Sequence, residues 1–242
     1  MNVIGIFDSG IGGITVLKEL KKQLPNEKYI YYSDSKHNPY GEKTKEAVLK
    51  YSDEIVSFLK NKSCNIIVIA CNTASAISAN ELRKKYPNLT IIAIEPAYKM
   101  VHDYAPKGRT LVMATEGTLH SEKFNELFTK YDNHKTILLP CNGLADAIEK
   151  GEKTEINKIL QKTLGKYKGK IDNVVLGCTH YPLVKKEIQE ILGDVTFFDG
   201  ANRLAIHLKE MLNVLSENSN EVEFFDSSNM IEKKERFFEL LK

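Results

Sequence analysis

Ile66-Ile67-Val68-Ile69-Ala70-Cys71-Asn72-Thr73 is an unbroken apolar run that stops at a thiol and two polar residues. A strand with one wet face alternates apolar and polar residues; a strand apolar at every position is covered on both faces. Asn72 or Thr73 suits the N-cap of a following helix, so the stretch predicts a buried strand that turns into a helix. Similar β-rich runs occupy residues 3–7, 29–32 and 90–94. Between them, Ile14, Leu17, Leu20 and Leu24 repeat at helical spacing, as do Val48, Tyr51, Ile55, Phe58 and Leu59. Strands covered on both faces and separated by helices predict an α/β fold with a parallel sheet.

The alternation restarts after Ile94-Glu95-Pro96, where Pro96 disfavours helix at Glu95 and suits the start of a new one. Residues 110–114, 136–139, 173–176 and 195–198 read as a second set of four strands. From about Ala205 a tail follows, with one helical pattern, a polar loop at 216–220, a strand-like 222–225 and a final helix. The opening stretch now has an echo: Val175-Leu176-Gly177-Cys178-Thr179-His180 again carries buried strand, small residue, cysteine and polar caps into a helix. The expectation is two pseudo-symmetric, doubly wound domains with mainly parallel sheets. In open α/β sheets ligands bind beyond the carboxyl ends of the strands, which is where both cysteines stand.

The chain has 242 residues, 34 Lys plus Arg against 32 Asp plus Glu, 42% hydrophobic and 27% charged residues. Such near balance of charge speaks against a polybasic nucleic-acid or membrane-surface protein. No run of 18 apolar residues suggests a membrane span. Met1-Asn2-Val3-Ile4-Gly5-Ile6-Phe7-Asp8 lacks a basic lead, and so reads as a buried strand rather than a secretory leader. Four cysteines without a C-x-x-C pair speak against a zinc knuckle and fit free thiols in a reducing cytoplasm.

A thiol at a helix start feels the positive end of that helix and loses its proton more readily. A single such cysteine reads first as a small residue filling a strand end, since most buried thiols are inert; two in matched contexts are not explained by packing. Cys64 and Cys141 lack that context and read as structural. His180, two residues after Cys178, is either a histidine bonded at a helix start or a general acid/base beside a thiol. No clustered spacing supports a metal site built from Cys71, Cys178 and His180. Asp8-Ser9-Gly10-Ile11-Gly12-Gly13 opens the first helix with glycines whose N–H groups could meet an anion. It is neither a P-loop, since no Gly-Lys-Ser/Thr follows, nor a dinucleotide fingerprint, since Thr15 stands where the third Gly or Ala belongs. Only Arg83, Arg109, Arg203 and Arg236 occur, none inside these motifs, so hydroxyls, amides and backbone N–H groups would have to hold a carboxylate ligand.

Asp8-Ser9-Gly10-Ile11-Gly12-Gly13, Pro39-Tyr40-Gly41, Ala70-Cys71-Asn72-Thr73-Ala74, Ile94-Glu95-Pro96-Ala97 and Gly177-Cys178-Thr179-His180-Tyr181-Pro182 together resemble the glutamate racemase family, in its order and over nearly the whole chain. The resemblance implies cofactor-independent, two-base interconversion of L- and D-glutamate in the cytoplasm, supplying D-glutamate for peptidoglycan and hence cell wall and cell shape. It implies Cys71 and Cys178 as the opposed bases, assisted by Asp8 and His180. Glutamate contacts would come from Asp8, Ser9, Tyr40, Gly41, Asn72, Thr73, Thr118, Thr179 and His180. It further implies a first domain of 1–94 plus 205–242 and a second of 95–204, an active site in the interdomain cleft, a homodimer, and no metal, nucleic-acid or membrane partner. Departures from the family pattern are Leu139-Pro140-Cys141-Asn142 in place of Cys-Pro, His37-Asn38 before Pro39, and Phe198-Asp199-Gly200-Ala201 without a serine after the acid. The role of Glu149, as an acid supporting the histidine, is left open.

The resemblance leaves two rivals. A relative acting on aspartate is expected to open differently and to carry a glutamate where His180 stands. A binding module acting on DNA gyrase would have no use for both cysteines, and a net charge of +2 gives no electrostatic support for DNA contact.

Overall fold

The computed structural model describes residues 2–212 and 219–242. Of the polar loop expected at 216–220, residues 216–218 lie outside the described residues. In chain order the elements are β1 (Val3–Asp8), α1 (Ile14–Gln23), β2 (Lys28–Ser33), α2 (Lys45–Asn61), β3 (Ile66–Ile69), α3 (Asn72–Lys85) and β4 (Thr90–Ala93). Next come α4 (Tyr98–Tyr104), β5 (Thr110–Ala114), α5 (Glu116–Leu119), α6 (Glu122–Tyr131), β6 (Thr136–Pro140), α7 (Leu144–Lys150) and α8 (Lys153–Leu164). Then follow β7 (Asn173–Gly177), α9 (Lys185–Leu192), β8 (Thr196–Phe198), α10 (Ala201–Met211), β9 (Val222–Asp226) and α11 (Ile231–Leu241). The chain divides into two compact units, Met1–Ile94 with Ala201–Lys242, and Glu95–Gly200.

The first unit holds a five-stranded sheet in the order β4-β3-β1-β2-β9, with every pair parallel. Its central strands are buried at every position of β3 and at all but the first of β1, as their unbroken apolar sequences require. Helix α1 turns Ile14, Val16, Leu17 and Leu20 inward, and α10 packs along it. Helix α2 begins at Thr44, whose hydroxyl accepts the Ala47 N–H at 3.2 Å. The tail completes this sheet: β9 pairs with β2, and Phe237 of α11 lies 4.3 Å from Phe224 and 4.7 Å from Tyr31, ring centre to ring centre. Burying a phenylalanine side chain stabilises by roughly 1.5–3 kcal/mol, so this cluster fixes α11 to the sheet.

The second unit holds a four-stranded, wholly parallel sheet in the order β6-β5-β7-β8. One core lies under α7, α8 and α9 and includes Leu111, Leu144, Leu160, Val174 and Ile188. A second core, on Val112 and Val175, lies under α4 and α6 and includes Tyr98 and Phe124. Both sheets therefore carry helices, and the architecture is α/β as the sequence predicts.

The connections place a functional edge in each unit. From β1 the chain moves to β2 on one side, and then returns to lay β3 on the other side of β1. From β5 it moves to β6 and returns to lay β7 on the opposite flank. Such a reversal opens a crevice outside the carboxyl ends of the two central strands. In the first unit those ends are Asp8 and Ile69; in the second they are Ala114 and Gly177.

Candidate active site

In the first unit, β1 delivers Asp8 into the interior, and its Oδ2 accepts the Gly13 N–H at 2.7 Å. The glycine-rich turn was expected to offer its N–H groups to an anion; at Gly13 the chain's own carboxylate takes that place. A side chain at Gly13 would force its neighbours to shift, since a Cβ would lie 2.7 Å from the Tyr31 hydroxyl and 2.9 Å from the Cβ atoms of Ala70 and Asp8. Tyr31 in turn donates to the Gly10 carbonyl at 2.8 Å, closing the turn.

Cys71 follows β3 directly. The sequence suggested Asn72 or Thr73 as the cap of α3, but the cap is Cys71 itself, whose Sγ accepts the Ala74 N–H at 3.5 Å. Its backbone is extended while Asn72 and Thr73 already have helical geometry, so the sulfur takes the cap position. That places sulfur at the positive end of a 14-residue helix, with backbone N–H groups pointing at it. Ser9 Oγ lies 3.8 Å from the same sulfur. Asn72 and Thr73 are buried beside it, and Asn72 Oδ1 has no hydrogen-bond partner among the described residues. A buried acceptor of this kind is rare in native structures and marks a place for a donor.

Tyr40 and Gly41 form a 3-10 turn, Tyr40–Glu42, after β2. The Tyr40 hydroxyl donates to Asp34 Oδ2 at 2.6 Å. Burial, then the charges of Asp34, Cys71 and Asp8, push this phenol far above its usual range, so it remains a donor.

In the second unit, β5 runs into Thr115, whose Oγ1 accepts the Thr118 N–H at 3.3 Å and stands 3.1 Å from Thr118 Oγ1. Thr118 is buried at the start of this turn. β7 ends at Gly177, where a Cβ would come within 2.9 Å of Ala114 Cβ and 3.0 Å of the Met113 carbonyl oxygen. Only glycine lets the two central strands approach this closely before the chain turns out at Cys178.

Cys178 Sγ lies 3.8 Å from His180 Nδ1, and His180 Nε2 lies 2.7 Å from Glu149 Oε2. Thr179 is buried between the thiol and the histidine in sequence. Burial disfavours the imidazolium, but hydrogen bonds to Cys178 and Glu149, with the charges of both, outweigh it and hold His180 well above its ordinary pKa. The segment after His180 is a 3-10 turn, Tyr181–Val184, with Pro182 in its first positions; α9 begins only at Lys185. Glu149 projects from α7, a short helix bounded by Gly143 and Gly151 in left-handed conformations. The sequence signal for it was an acid on the buried face of that helix, beside Ala145 and Ile148.

Cys64 and Cys141 sit in the two cores. Burial pushes each thiol up to about 12, which suits inert packing residues. None of the four cysteines forms a disulfide. Among the described residues no group of three or more His, Cys, Asp or Glu is placed to hold a metal ion. No described helix is long and apolar enough to cross a membrane. Each unit thus brings one buried thiol, an acid and hydroxyl or amide groups to the carboxyl edge of its sheet. A thiol in such a setting can take and return a proton.

Comparison with known proteins gives a consistent set of relatives. The family model described as Asp/Glu/Hydantoin racemase matches residues 4–207. A glutamate racemase of Clostridium perfringens is 43% identical over 99% of this chain and 94% of its own length. The Escherichia coli glutamate racemase, solved with L-glutamate and the activator UDP-MurNAc-ala, superposes with a TM-score of 0.86 at 27% identity, covering 99% of this chain and 94% of that one. The Francisella tularensis glutamate racemase, solved with D-glutamate, superposes with a TM-score of 0.82 at 28% identity, covering 99% and 93%.

Proposed function

The chain belongs to the Asp/Glu/hydantoin racemase family and is an amino-acid racemase, and we propose that it interconverts L- and D-glutamate with two thiols and no cofactor. The observation that carries this reading is the matched pair of thiols. Each stands at the carboxyl end of a central strand, with a polar partner against its sulfur. Relatives solved with each enantiomer of glutamate, and a 43% identical glutamate racemase, support the substrate.

Inversion at Cα breaks one C–H bond and makes another on the opposite face. One sulfur must therefore act as thiolate base while the other delivers its proton as thiol acid. Cys71 takes the Cα proton of D-glutamate and Cys178 returns one; from L-glutamate the roles exchange. The S–H formed on one side and lost on the other leaves the enzyme one step from its starting protonation, with no electron gained or lost. Asp8 assists Cys71. His180, held protonated by Cys178 and Glu149, assists Cys178.

Glutamate is held by Asp8, Ser9, Tyr40, Gly41, Asn72, Thr73, Thr118, Thr179 and His180. In this reading the unpartnered Asn72 Oδ1 accepts from the substrate ammonium. The hydroxyls of Ser9, Thr73, Thr118 and Thr179 and nearby backbone N–H groups hold the carboxylates, since no arginine lies in these motifs. The product serves peptidoglycan synthesis in the cytoplasm, and the protein works as a homodimer without nucleic-acid or membrane partners.

Incubation of the purified protein with L-glutamate in D2O, without added cofactor, tests the reading. Loss of optical activity with deuterium at Cα of the product supports it; no exchange, or equal exchange with L-aspartate, overturns it.

A further inference from the structure

Asp34 lies one residue beyond β2 and is only 2% exposed. Its N–H donates to the Asp8 carbonyl at 2.9 Å, tying this point of the loop to the residue that heads the glycine-rich turn. Its carboxylate takes the Tyr40 hydroxyl on Oδ2 and His37 Nδ1 across both oxygens, at 2.9 and 3.0 Å. The His37 N–H closes the turn onto the Asp34 carbonyl at 3.1 Å. The His37 ring lies flat on Tyr51 of α2, with centres 3.9 Å apart and planes 9° from parallel. Tyr51 also meets Tyr40, centre to centre at 6.0 Å. His37, Tyr40 and Tyr51 thus interlock around one buried carboxylate.

The first half of the same loop is held elsewhere. Ser35 Oγ donates to Asp226 Oδ1 at 2.8 Å, and the Lys36 N–H to Ser227 Oγ at 3.0 Å, both at the end of β9. The stretch that carries Tyr40 and Gly41 depends instead on Asp34, and Asp34 is oriented by His37.

We propose that His37 is the positioning residue for the Tyr40–Gly41 turn, fixing through Asp34 where these two residues meet the substrate and thereby setting affinity more than turnover. The proposal rests on the glutamate reading above, in which Tyr40 and Gly41 touch the substrate and His37 does not. Two properties of the imidazole contribute separately: the Nδ1–H donor aligns the carboxylate, and the flat ring clamps against Tyr51. The donor is the essential part, because a buried carboxylate short of a donor turns to find another, and Tyr40 turns with it.

Racemisation in both directions is followed by circular dichroism on the full chain, wild type beside His37→Ala, His37→Asn and His37→Phe. His37→Ala is expected to raise KM for both enantiomers about tenfold with kcat within about twofold, the size of one charged hydrogen bond. His37→Asn, which restores an N–H near the Nδ1 position, brings KM back to within about threefold. His37→Phe keeps the ring and behaves as His37→Ala. Wild-type KM in His37→Ala, a loss confined to kcat, or recovery by Phe and not Asn overturns the proposal while leaving glutamate racemisation in place. Absence of racemisation by the wild type overturns the functional reading, and this proposal with it.

Discussion

Glu149 Oε2 and His180 Nε2 lie 2.7 Å apart with both side chains almost wholly buried, although α8 and β7 intervene between them in sequence. The imidazole's other nitrogen faces Cys178. The Cys178 thiol and the Glu149 carboxylate together hold His180 protonated against its burial.

Stability should depend on pH through this pair. His180 is raised in the folded state, so its contribution is full below the unfolded value of about 6.5 and fades as pH rises through the higher folded value. Glu149→Gln removes the partner charge and should cost roughly 3 kcal/mol near pH 6. The deficit should shrink toward alkaline pH, where the wild type loses the same contribution. Thermal unfolding of both proteins across pH checks this, and a deficit independent of pH contradicts it.

Capping and chemistry can be separated at Cys71. Cys71→Ala removes the acceptor for the Ala74 N–H and should destabilise by about 1 kcal/mol. Cys71→Ser keeps an acceptor and should fold as well as the wild type. Both should slow Cα proton exchange of D-glutamate by roughly 10²-fold or more, because neither side chain is a competent base. Denaturant titration beside deuterium exchange at Cα reads the two effects apart. Normal exchange in Cys71→Ser would remove Cys71 from the mechanism.

The four thiols should divide by reactivity despite similar burial. Cys71 caps a helix and Cys178 faces an imidazolium, while Cys64 and Cys141 are held as thiols up to about 12. Limited treatment with iodoacetamide near pH 8, followed by peptide mass mapping, should label Cys71 and Cys178 first, with D-glutamate protecting both. Early labelling of Cys64 or Cys141 would contradict this order.

Gly13→Ala is expected to destabilise by about 1–3 kcal/mol, since the new methyl has the Tyr31 hydroxyl, Ala70 and Asp8 against it. It should also impair activity by displacing Asp8. Gly165→Ala, where no atom lies within 4 Å of the added carbon, is the matched control. Equal midpoints for the two variants would show that the turn at Gly13 gives way freely.

Much of this was legible in the chain. Strands apolar at every position read out directly, because sheets covered on both faces leave no alternation to misjudge. The two thiol motifs showed through their repetition. The cap of α3 did not, because sulfur is an unusual acceptor and Asn72 and Thr73 are better-known caps. Nor did the Asp34–His37–Tyr51 cluster, since stacking between a loop and α2 leaves no periodic trace. Glu149 stood on a helix face otherwise apolar, yet its partner is set by tertiary packing across a long separation. The composition of β9 would suit either sheet equally, and only the family resemblance assigned the tail to the first domain.

The late arrival of β9 bears on how the protein is made. A ribosome completes Glu95–Gly200 as one continuous stretch, while the first unit still lacks Ala201–Lys242. At about 5–20 residues per second, the remainder takes a few seconds to emerge. Throughout that interval β2 is an open edge, with Tyr31 not yet covered by Phe237. Until β9 arrives, the outer side of β2 offers a row of unpaired N–H and C=O groups to any strand that meets it.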